Sequence, residues 1–157
     1  MSEREAQAQT QAQLKTGTVL AVCLSAEKGT PKRNAGRGEL VARHGLKGDA
    51  HAGSAERQVS LLSLQKIEAF RAQGAEVEYG AFGENIVAGE IDFASLPVGA
   101  KLRCGEALLE ISQIGKDCQN RCAIFHRMGD CIMPREGAFA KVLRGGAIQT
   151  GDELHVE

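Results

Sequence analysis

The sequence has no tryptophan and only three prolines, but it has nineteen glycines. This composition is typical of a chain that turns often and sharply, and it favours many short strands over long helices. The sequence also lacks any apolar run near the roughly 20 residues that a membrane span needs. We therefore expect a soluble protein that does not bind a membrane.

An excess of charge of either sign is also lacking, because 19 Lys and Arg residues nearly balance 20 Asp and Glu residues. A protein without a global basic field is not expected to bind nucleic acid. The chain has five cysteines, an odd number, and its first residues lack the apolar core of a signal peptide. These features favour a reducing cytoplasm, so structural disulfides are not expected.

A chain of 157 residues is long enough to form one domain with its own core. Residues 1–16 consist mainly of Ala, Gln and charged side chains and have nothing to bury, so we expect a disordered tail there. Residues 17–157 are expected to form a single domain.

Hydrophobic patterning in this domain predicts several strands and one good helix. Ser63–Gln73 has apolar residues at helical spacing, with Ser63 as N-cap and Gly74 as the stop. Cys23 and Cys104 are expected to be ordinary core residues. Strands are expected at Thr18–Leu24, Glu39–Val41, Ala107–Ile114 and Phe139–Leu143.

The pattern apolar-x-x-Gly-x-x-Leu occurs at 96–102 and again at 148–154. Each copy predicts a tight turn that opens a strand, and such connections are typical of a closed barrel. A second short helix is expected around Asn120–Met128. The expected fold is therefore mainly β, a closed β-barrel with one or two short α-helices.

The most unusual stretch follows the strand at Ala107–Ile114, where Cys118 and Cys122 are accompanied by Lys116 and Arg121. Nearby cations favour the thiolate and lower the pKa of a thiol. A helix beginning after Cys118 would add the effect of its N-terminal dipole. The sequence therefore predicts a soft-metal or sulfur-handling site at this segment.

Two alternatives use the same thiols. The pattern C-x3-C-x3-H-x4-C is compatible with structural zinc, although zinc sites more often begin with C-x2-C. Its members are Cys118, Cys122, His126 and Cys131. Dithiol redox chemistry is the other alternative, although three residues separate the first two thiols instead of the two in C-x-x-C.

Polar residues in other segments are candidates for the wall of a pocket. Lys28 and Lys32 belong to a Gly-rich loop that is either a solvated loop or an anion-binding arm. Arg57 and Gln58 precede an apolar run and could direct planar donors into a cleft. Asn85, with its neighbour Glu84, either pins its loop or lines the pocket.

Taken in order, these segments resemble the MOSC domain, which is named after the C-terminal domain of molybdenum cofactor sulfurase. The resemblance runs from about Thr18 to Val156. The motifs that carry it are Lys28–Lys32, Gly45–Gly53, Arg57–Leu61, Gly83–Ile86, Leu96–Gly99, Cys118 and Gly151–Asp152.

The resemblance implies a β-barrel, a bound molybdenum cofactor of the molybdopterin type, and a cysteine that ligates molybdenum or carries sulfur. In small members this cysteine ends a strand, which indicates Cys118. In amidoxime-reducing relatives it follows an arginine, which indicates Cys122 after Arg121. Cys118 is the preferred ligand and Cys122 the second choice.

The same resemblance suggests roles for the polar residues, because such a cofactor needs cations for its phosphate and polar groups for its pterin. Arg121 is expected near the metal. The phosphate candidates are Lys28, Lys32 and Arg57, and the pterin candidates are His51, Gln58 and Asn85.

The implied activity is two-electron reduction of an N-hydroxylated or related small substrate, with an electron-donor protein as partner. The alternative is a carrier that holds a persulfide or the cofactor and delivers it to a recipient apoenzyme without turnover. A zinc-stapled binding module is a third possibility. The pyridoxal-phosphate domain of the sulfurase has no counterpart here, so PLP is not expected, and any sulfur would come from a partner sulfurtransferase.

Overall fold

The computed structural model of the chain describes residues 16–27, 32–50, 52–55, 57–74, 76–115 and 137–157. These residues contain eleven strands and one α-helix. The strands are β1 (Thr16–Leu24), β2 (Arg33–Asn34), β3 (Arg37–Val41), β4 (Gly45–Leu46), β5 (Val59–Ser63), β6 (Ile86–Gly89), β7 (Lys101–Cys104), β8 (Ala107–Ile114), β9 (Ala138–Arg144), β10 (Gly146–Gln149) and β11 (Glu153–Val156). The helix is α1 (Leu64–Ala72), and a 3-10 turn spans Phe93–Ser95.

Seven strands form a closed barrel in the order β11-β7-β8-β9-β5-β6-β1, and pairing of β1 with β11 completes the ring. Only β5 and β6 run parallel within this ring. Parallel neighbours need a crossover connection, and α1 lies in the connection that joins β5 to β6. β2 extends the sheet beside β1, and a separate three-stranded sheet has the order β10-β3-β4. The predicted closed, mainly β barrel is confirmed.

Successive side chains of a strand point to opposite faces of the sheet, and the apolar ones form two separate cores. Every barrel strand contributes to the first core, and β9 does so through Ala138, Ala140 and Val142. Phe139 faces the other way and packs in the second core, which also contains Ile67 and Phe70 of α1. Outward-facing side chains of β1, β5, β6 and β9 therefore pack in one core with α1, and the predicted site residue Arg57 contacts Phe139 of this core.

The predicted helix is confirmed at Leu64–Ala72, with Ser63 at the N-cap position. The Ser63 hydroxyl makes no capping bond; instead it accepts a hydrogen bond from the backbone N–H of Phe93 at 3.1 Å. Gly74 follows the helix with a φ of 102°, a conformation that suits a helix end. Among the described residues, no helix is long and apolar enough to cross a membrane.

The two predicted glycine turns are also confirmed. Gly99 and Gly151 adopt φ values of 95° and 98°, and each comes just before a strand, β7 and β11 respectively. Glycine reaches this left-handed region without the steric cost that other residues meet. The short helix predicted around Asn120–Met128 lies outside the described residues.

Candidate functional site

The predicted thiol segment connects two neighbouring strands of the barrel. Ile114 at the end of β8 pairs with Ala138 at the start of β9. The N–H of Gly115 donates to the carbonyl of Gly137 at 2.6 Å. The structure therefore defines where this segment leaves the barrel and where it returns.

Several predicted site residues lie outside the part of the chain that the structure describes: Lys28, His51, Cys118, Arg121 and Cys122. The same is true of His126 and Cys131 from the zinc pattern. Within the described residues, no group of three or more His, Cys, Asp or Glu side chains is placed to hold a metal ion. The roles assigned to the residues outside this part stay predictions.

Arg57 lies just before β5 and reaches the end of the barrel where β8 stops. Its guanidinium carbon lies 5.5 Å from the centre of the Phe139 ring, a cation–π contact that orients the planar group. Its Nε donates to Oε1 of Gln113 at 3.4 Å, and Gln113 in turn donates to the carbonyl of Gly115 at 2.8 Å. The terminal nitrogens of Arg57 form no hydrogen bond with any described residue. Arg57 is therefore an oriented cation beside the β8–β9 connection, with donors left for an anion.

Gln58 is buried, and its side-chain oxygen accepts a hydrogen bond from the backbone N–H of Val142 at 3.0 Å. This bond continues the contact between β5 and β9 beyond the register pair Val59 and Ala140. The oxygen of Gln58 thus supports the barrel, and only its amide nitrogen remains for the predicted contact with a pterin.

Asn85 is fully buried and links three segments of the barrel. Its Oδ1 accepts from the N–H of Ser60 at 2.9 Å and from the Ser60 hydroxyl at 3.1 Å. Its Nδ2 donates to the carbonyl of Cys23 at 3.0 Å. These bonds support the alternative in which Asn85 pins its loop, and its predicted contact with a pterin stays untested.

Lys32 and Asp49 form a buried ion pair. The Lys32 ammonium lies 2.8 Å from Oδ1 of Asp49, and the two side chains are 1% and 0% exposed. The same oxygen accepts from the N–H of Ser25 at 3.0 Å. Burial alone would raise the pKa of Asp49, but the hydrogen bonds from Lys32 and Ser25, together with the lysine charge, outweigh burial and lower it. The ammonium predicted to bind a phosphate is thus directed into the protein.

Glu84 is a second buried carboxyl group near this ion pair. Its Oε1 accepts from the N–H of Phe82 at 3.0 Å, whereas Oε2 is buried and has no hydrogen-bond partner in the described residues. Burial raises the pKa of Glu84 to about 7, and backbone N–H groups together with the Lys32 charge only partly oppose this effect. Burial also raises the pKa of the Cys23 thiol to about 12, with Glu84 adding to the effect. Cys23 is therefore a poor nucleophile, as expected of a core cysteine.

Reasoning from sequence missed two features of this region. The burial of Lys32 has no local signature, because its partner Asp49 is distant in sequence and sits in a Gly-rich segment. Gln113 was detectable, since it is a polar residue at the end of an apolar strand directly before the thiol segment. Polar residues that interrupt a strand next to a reactive segment are candidates for its support.

The fold of this chain is similar to the folds of several solved structures. The YuaD protein from Bacillus subtilis is similar to 90% of this chain over 95% of its own length, with a TM-score of 0.76 and 20% identity. YiiM from Geobacillus stearothermophilus is similar to 90% of the chain over 73% of its own, with a TM-score of 0.66 and 18% identity. YiiM from Escherichia coli is similar to 90% of the chain over 69% of its own, with a TM-score of 0.60 and 20% identity. At these identities the likeness concerns the fold.

Sequence comparison gives the family. No curated protein matches the chain significantly in sequence. A model of the MOSC domain matches residues 48–155, which is more than half of the chain. The match extends from the segment that holds Asp49 to the last strand and includes the whole β8–β9 connection. The chain therefore belongs to the MOSC domain family, which is associated with binding of the molybdenum cofactor.

Proposed function

We propose that this protein binds a molybdenum cofactor of the molybdopterin type beside the β8–β9 connection. The observation that carries the proposal is the match of the MOSC model to residues 48–155. The position of Arg57 adds support, because its terminal nitrogens are uncommitted among the described residues and lie at the end of the barrel where β8 stops. Guanidinium groups bind phosphates through paired donors in one plane.

The described donors fit such a cofactor in part. Arg57 would hold the phosphate, and the amide nitrogen of Gln58 would face the pterin. Lys32 and Asn85 are committed to contacts within the protein, so we assign them no direct contact. Lys28, His51 and Arg121 keep their predicted roles, and Cys118 is the proposed molybdenum ligand, with Cys122 as the second choice.

The proposed reaction is the reduction of a small N-hydroxylated substrate. Two electrons from a donor protein and two protons convert the N-hydroxyl compound to the N–H compound and water. The cofactor supplies a two-electron redox centre with an exchangeable oxygen. The chain supplies a soft thiolate for the metal, a cation for the phosphate, and a barrel end that fixes the two ends of the thiol segment.

The test is elemental and pterin analysis of protein purified anaerobically from cells supplied with molybdate. We expect molybdenum and pterin in near-equal amounts in the wild type, with the molybdenum content reduced in Cys118→Ser and unchanged in Cys122→Ser. Cys104→Ser is the matched control, because it removes a buried thiol of β7 and should leave both components bound.

Other results would contradict the proposal in distinct ways. Zinc without pterin, lost together with stability in Cys118→Ser and Cys131→Ser, would identify a structural zinc site. Neither metal nor pterin in the wild type would favour a sulfur carrier. Cofactor that is bound and then transferred to an apoenzyme, without substrate reduction, would identify a cofactor carrier.

A further inference from the structure

The side chain of Gln113 contacts Arg57, the proposed phosphate ligand, through a neutral group. Oε1 of Gln113 accepts a hydrogen bond from Nε of Arg57 at 3.4 Å, and the ring of Phe139 lies 5.5 Å from the guanidinium carbon. Within the described part of the chain, no Asp or Glu forms an ion pair with Arg57. Arg57 is therefore oriented by two neutral groups, and no described residue neutralises its charge.

A β-bulge in β8 determines which way Gln113 points. Ile111 of β8 pairs with Ala140 of β9. In regular antiparallel pairing, Gln113 would then lie opposite Ala138, which faces the first core inside the barrel. Instead the register shifts between Ile111 and Gln113, and Gln113 pairs with Phe139, which faces the second core. Since paired residues have their side chains on the same face, the bulge turns Gln113 to the outer face, beside the Phe139 ring.

Hydrogen bonds at both ends of the Gln113 amide fix its orientation. Nε2 donates to the carbonyl of Gly115 at 2.8 Å, and the N–H of Gly115 donates to the carbonyl of Gly137 at 2.6 Å. Because Nε2 faces a carbonyl, Oε1 is the atom that faces Arg57. A carboxylate could not donate to Gly115, and an apolar side chain could neither donate nor accept. An amide satisfies both contacts at once.

The lack of charge on this partner matters for an anion site. A carboxylate beside a guanidinium forms an ion pair, which competes with the phosphate of a ligand for the same cation. Arg71 is in that situation, because its Nη1 lies 2.9 Å from Oε1 of Glu68. The amide oxygen of Gln113 holds Nε of Arg57 but leaves the positive charge and both terminal nitrogens for a ligand.

We propose that Gln113 is a positioning residue, which directs the terminal nitrogens of Arg57 at the phosphate of the proposed cofactor and does not itself touch the cofactor. The inference rests on the proposed function for the identity of the ligand, a pterin that carries a phosphate monoester. Because Gln113 acts on the phosphate contact alone, the affinity for a pterin without phosphate should not depend on it.

The test compares the binding of two fluorescent probes. One is the oxidised pterin released from molybdopterin, and the other is the same pterin after enzymatic removal of its phosphate. We expect Gln113→Met to weaken binding of the phosphorylated probe on the order of 10-fold, as for groups that orient a binding side chain, and to leave the other affinity unchanged. Gln113→Glu should weaken the first affinity further, because the new carboxylate pairs with Arg57.

A double-mutant cycle shows whether Gln113 acts through Arg57. In the Arg57→Met background, Gln113→Met should have no further effect on binding of the phosphorylated probe. The control is Gln149→Met, which replaces an exposed glutamine at the end of β10 and should bind both probes as the wild type does. Equal weakening of both probes by Gln113→Met would overturn the inference and indicate a structural role, and so would an unchanged preference for phosphate in both Gln113 variants.

A second readout, by nuclear magnetic resonance, does not need a ligand. In Gln113→Met, the Nε–H resonance of Arg57 should shift and exchange faster with water, because its acceptor is lost. Arg71 is the internal control, since its Nε donates to the carbonyl of Val77 at 3.0 Å and should keep its resonance. An unchanged Arg57 resonance would contradict the orienting role. If the wild type binds neither probe and purifies without cofactor, the proposed function fails, while this resonance still decides whether Gln113 orients Arg57.

Discussion

Glu84 shows how a single buried residue makes the stability of the protein depend on pH. The unfolded chain releases the Glu84 proton near the ordinary value of 4.5, whereas burial raises the pKa of Glu84 in the folded protein to about 7. Between these values the folded state binds more protons than the unfolded state. The free energy of unfolding therefore decreases as the pH rises through this window.

We predict that Glu84→Gln removes this pH dependence. In the wild type, the free energy of unfolding should fall by on the order of 3 kcal/mol between about pH 5 and pH 8, because each unit of pKa shift corresponds to about 1.4 kcal/mol. Because the amide stays neutral, the variant should show a flat profile in urea unfolding over this range. Glu39→Gln is the control, since Glu39 is exposed and its replacement should keep the slope.

Asp49 acts in the opposite direction and does not interfere with that test. Its pKa lies below the ordinary value of 3.8, since hydrogen bonds and the Lys32 charge outweigh burial. The stability that this carboxylate contributes is present above that value and is lost as the pH falls further. A slope in the unfolding free energy of Glu84→Gln between about pH 5 and pH 8 that equals that of the wild type would therefore contradict the role given to Glu84.

At the scale of elements, two glycines with the same backbone angle distinguish the cost of a left-handed backbone from the cost of a steric clash. Gly80 and Gly99 both have a φ of 95°. A Cβ at Gly80 would collide with the backbone carbonyl of Lys32, whereas a Cβ at Gly99 would meet no atom within 4 Å. Gly80 is therefore needed for space as well as for conformation.

We predict that Gly99→Ala costs about 1–2 kcal/mol, the price of a left-handed conformation, and that Gly80→Ala costs clearly more. The added Cβ must displace Lys32, which also weakens its ion pair with Asp49. Equilibrium unfolding of both variants at neutral pH measures the difference. Equal losses of unfolding free energy would show that the contact between Gly80 and Lys32 is not a constraint.

Element-level features were largely readable from the sequence. The β-branched run of β1, the helical spacing of α1 and the repeated turn at Gly99 and Gly151 are local patterns, and the structure confirms them. The short strands β2 and β4 were not predicted, because two residues contain no periodicity. Their pairing depends on partners in β1 and β3, which local reasoning cannot supply.

At the scale of the whole molecule, closure of the barrel explains how distant segments meet at one end. β1 pairs with β11 near the other end of the chain, and β5 lies between β6 and β9. This order places β5 beside β9, and the Arg57 side chain reaches along β9 to Phe139 and to Gln113 near the end of β8. The family and the barrel were predictable because the order and spacing of several motifs along the chain can be recognised in the sequence itself.

The different structural roles of the polar residues were not predictable from the sequence. In the sequence, Lys32 and Arg57 are both cations in or next to a loop, so both were predicted to bind the phosphate. The structure distinguishes them by burial: Lys32 faces Asp49 inside the protein, whereas Arg57 is half-buried and stacks on Phe139. Whether a side chain is buried depends on contacts between strands that are distant in sequence, and these contacts cannot be read from a single sequence.

The most direct test of the central claim is X-ray absorption at the molybdenum edge on anaerobically purified, cofactor-loaded protein. We predict one fewer sulfur neighbour of molybdenum in Cys118→Ser than in the wild type, while Cys122→Ser keeps the wild-type number. An unchanged sulfur count in both variants would contradict ligation of the metal by this segment, and wild-type protein that cannot be loaded with molybdenum would contradict the cofactor assignment itself.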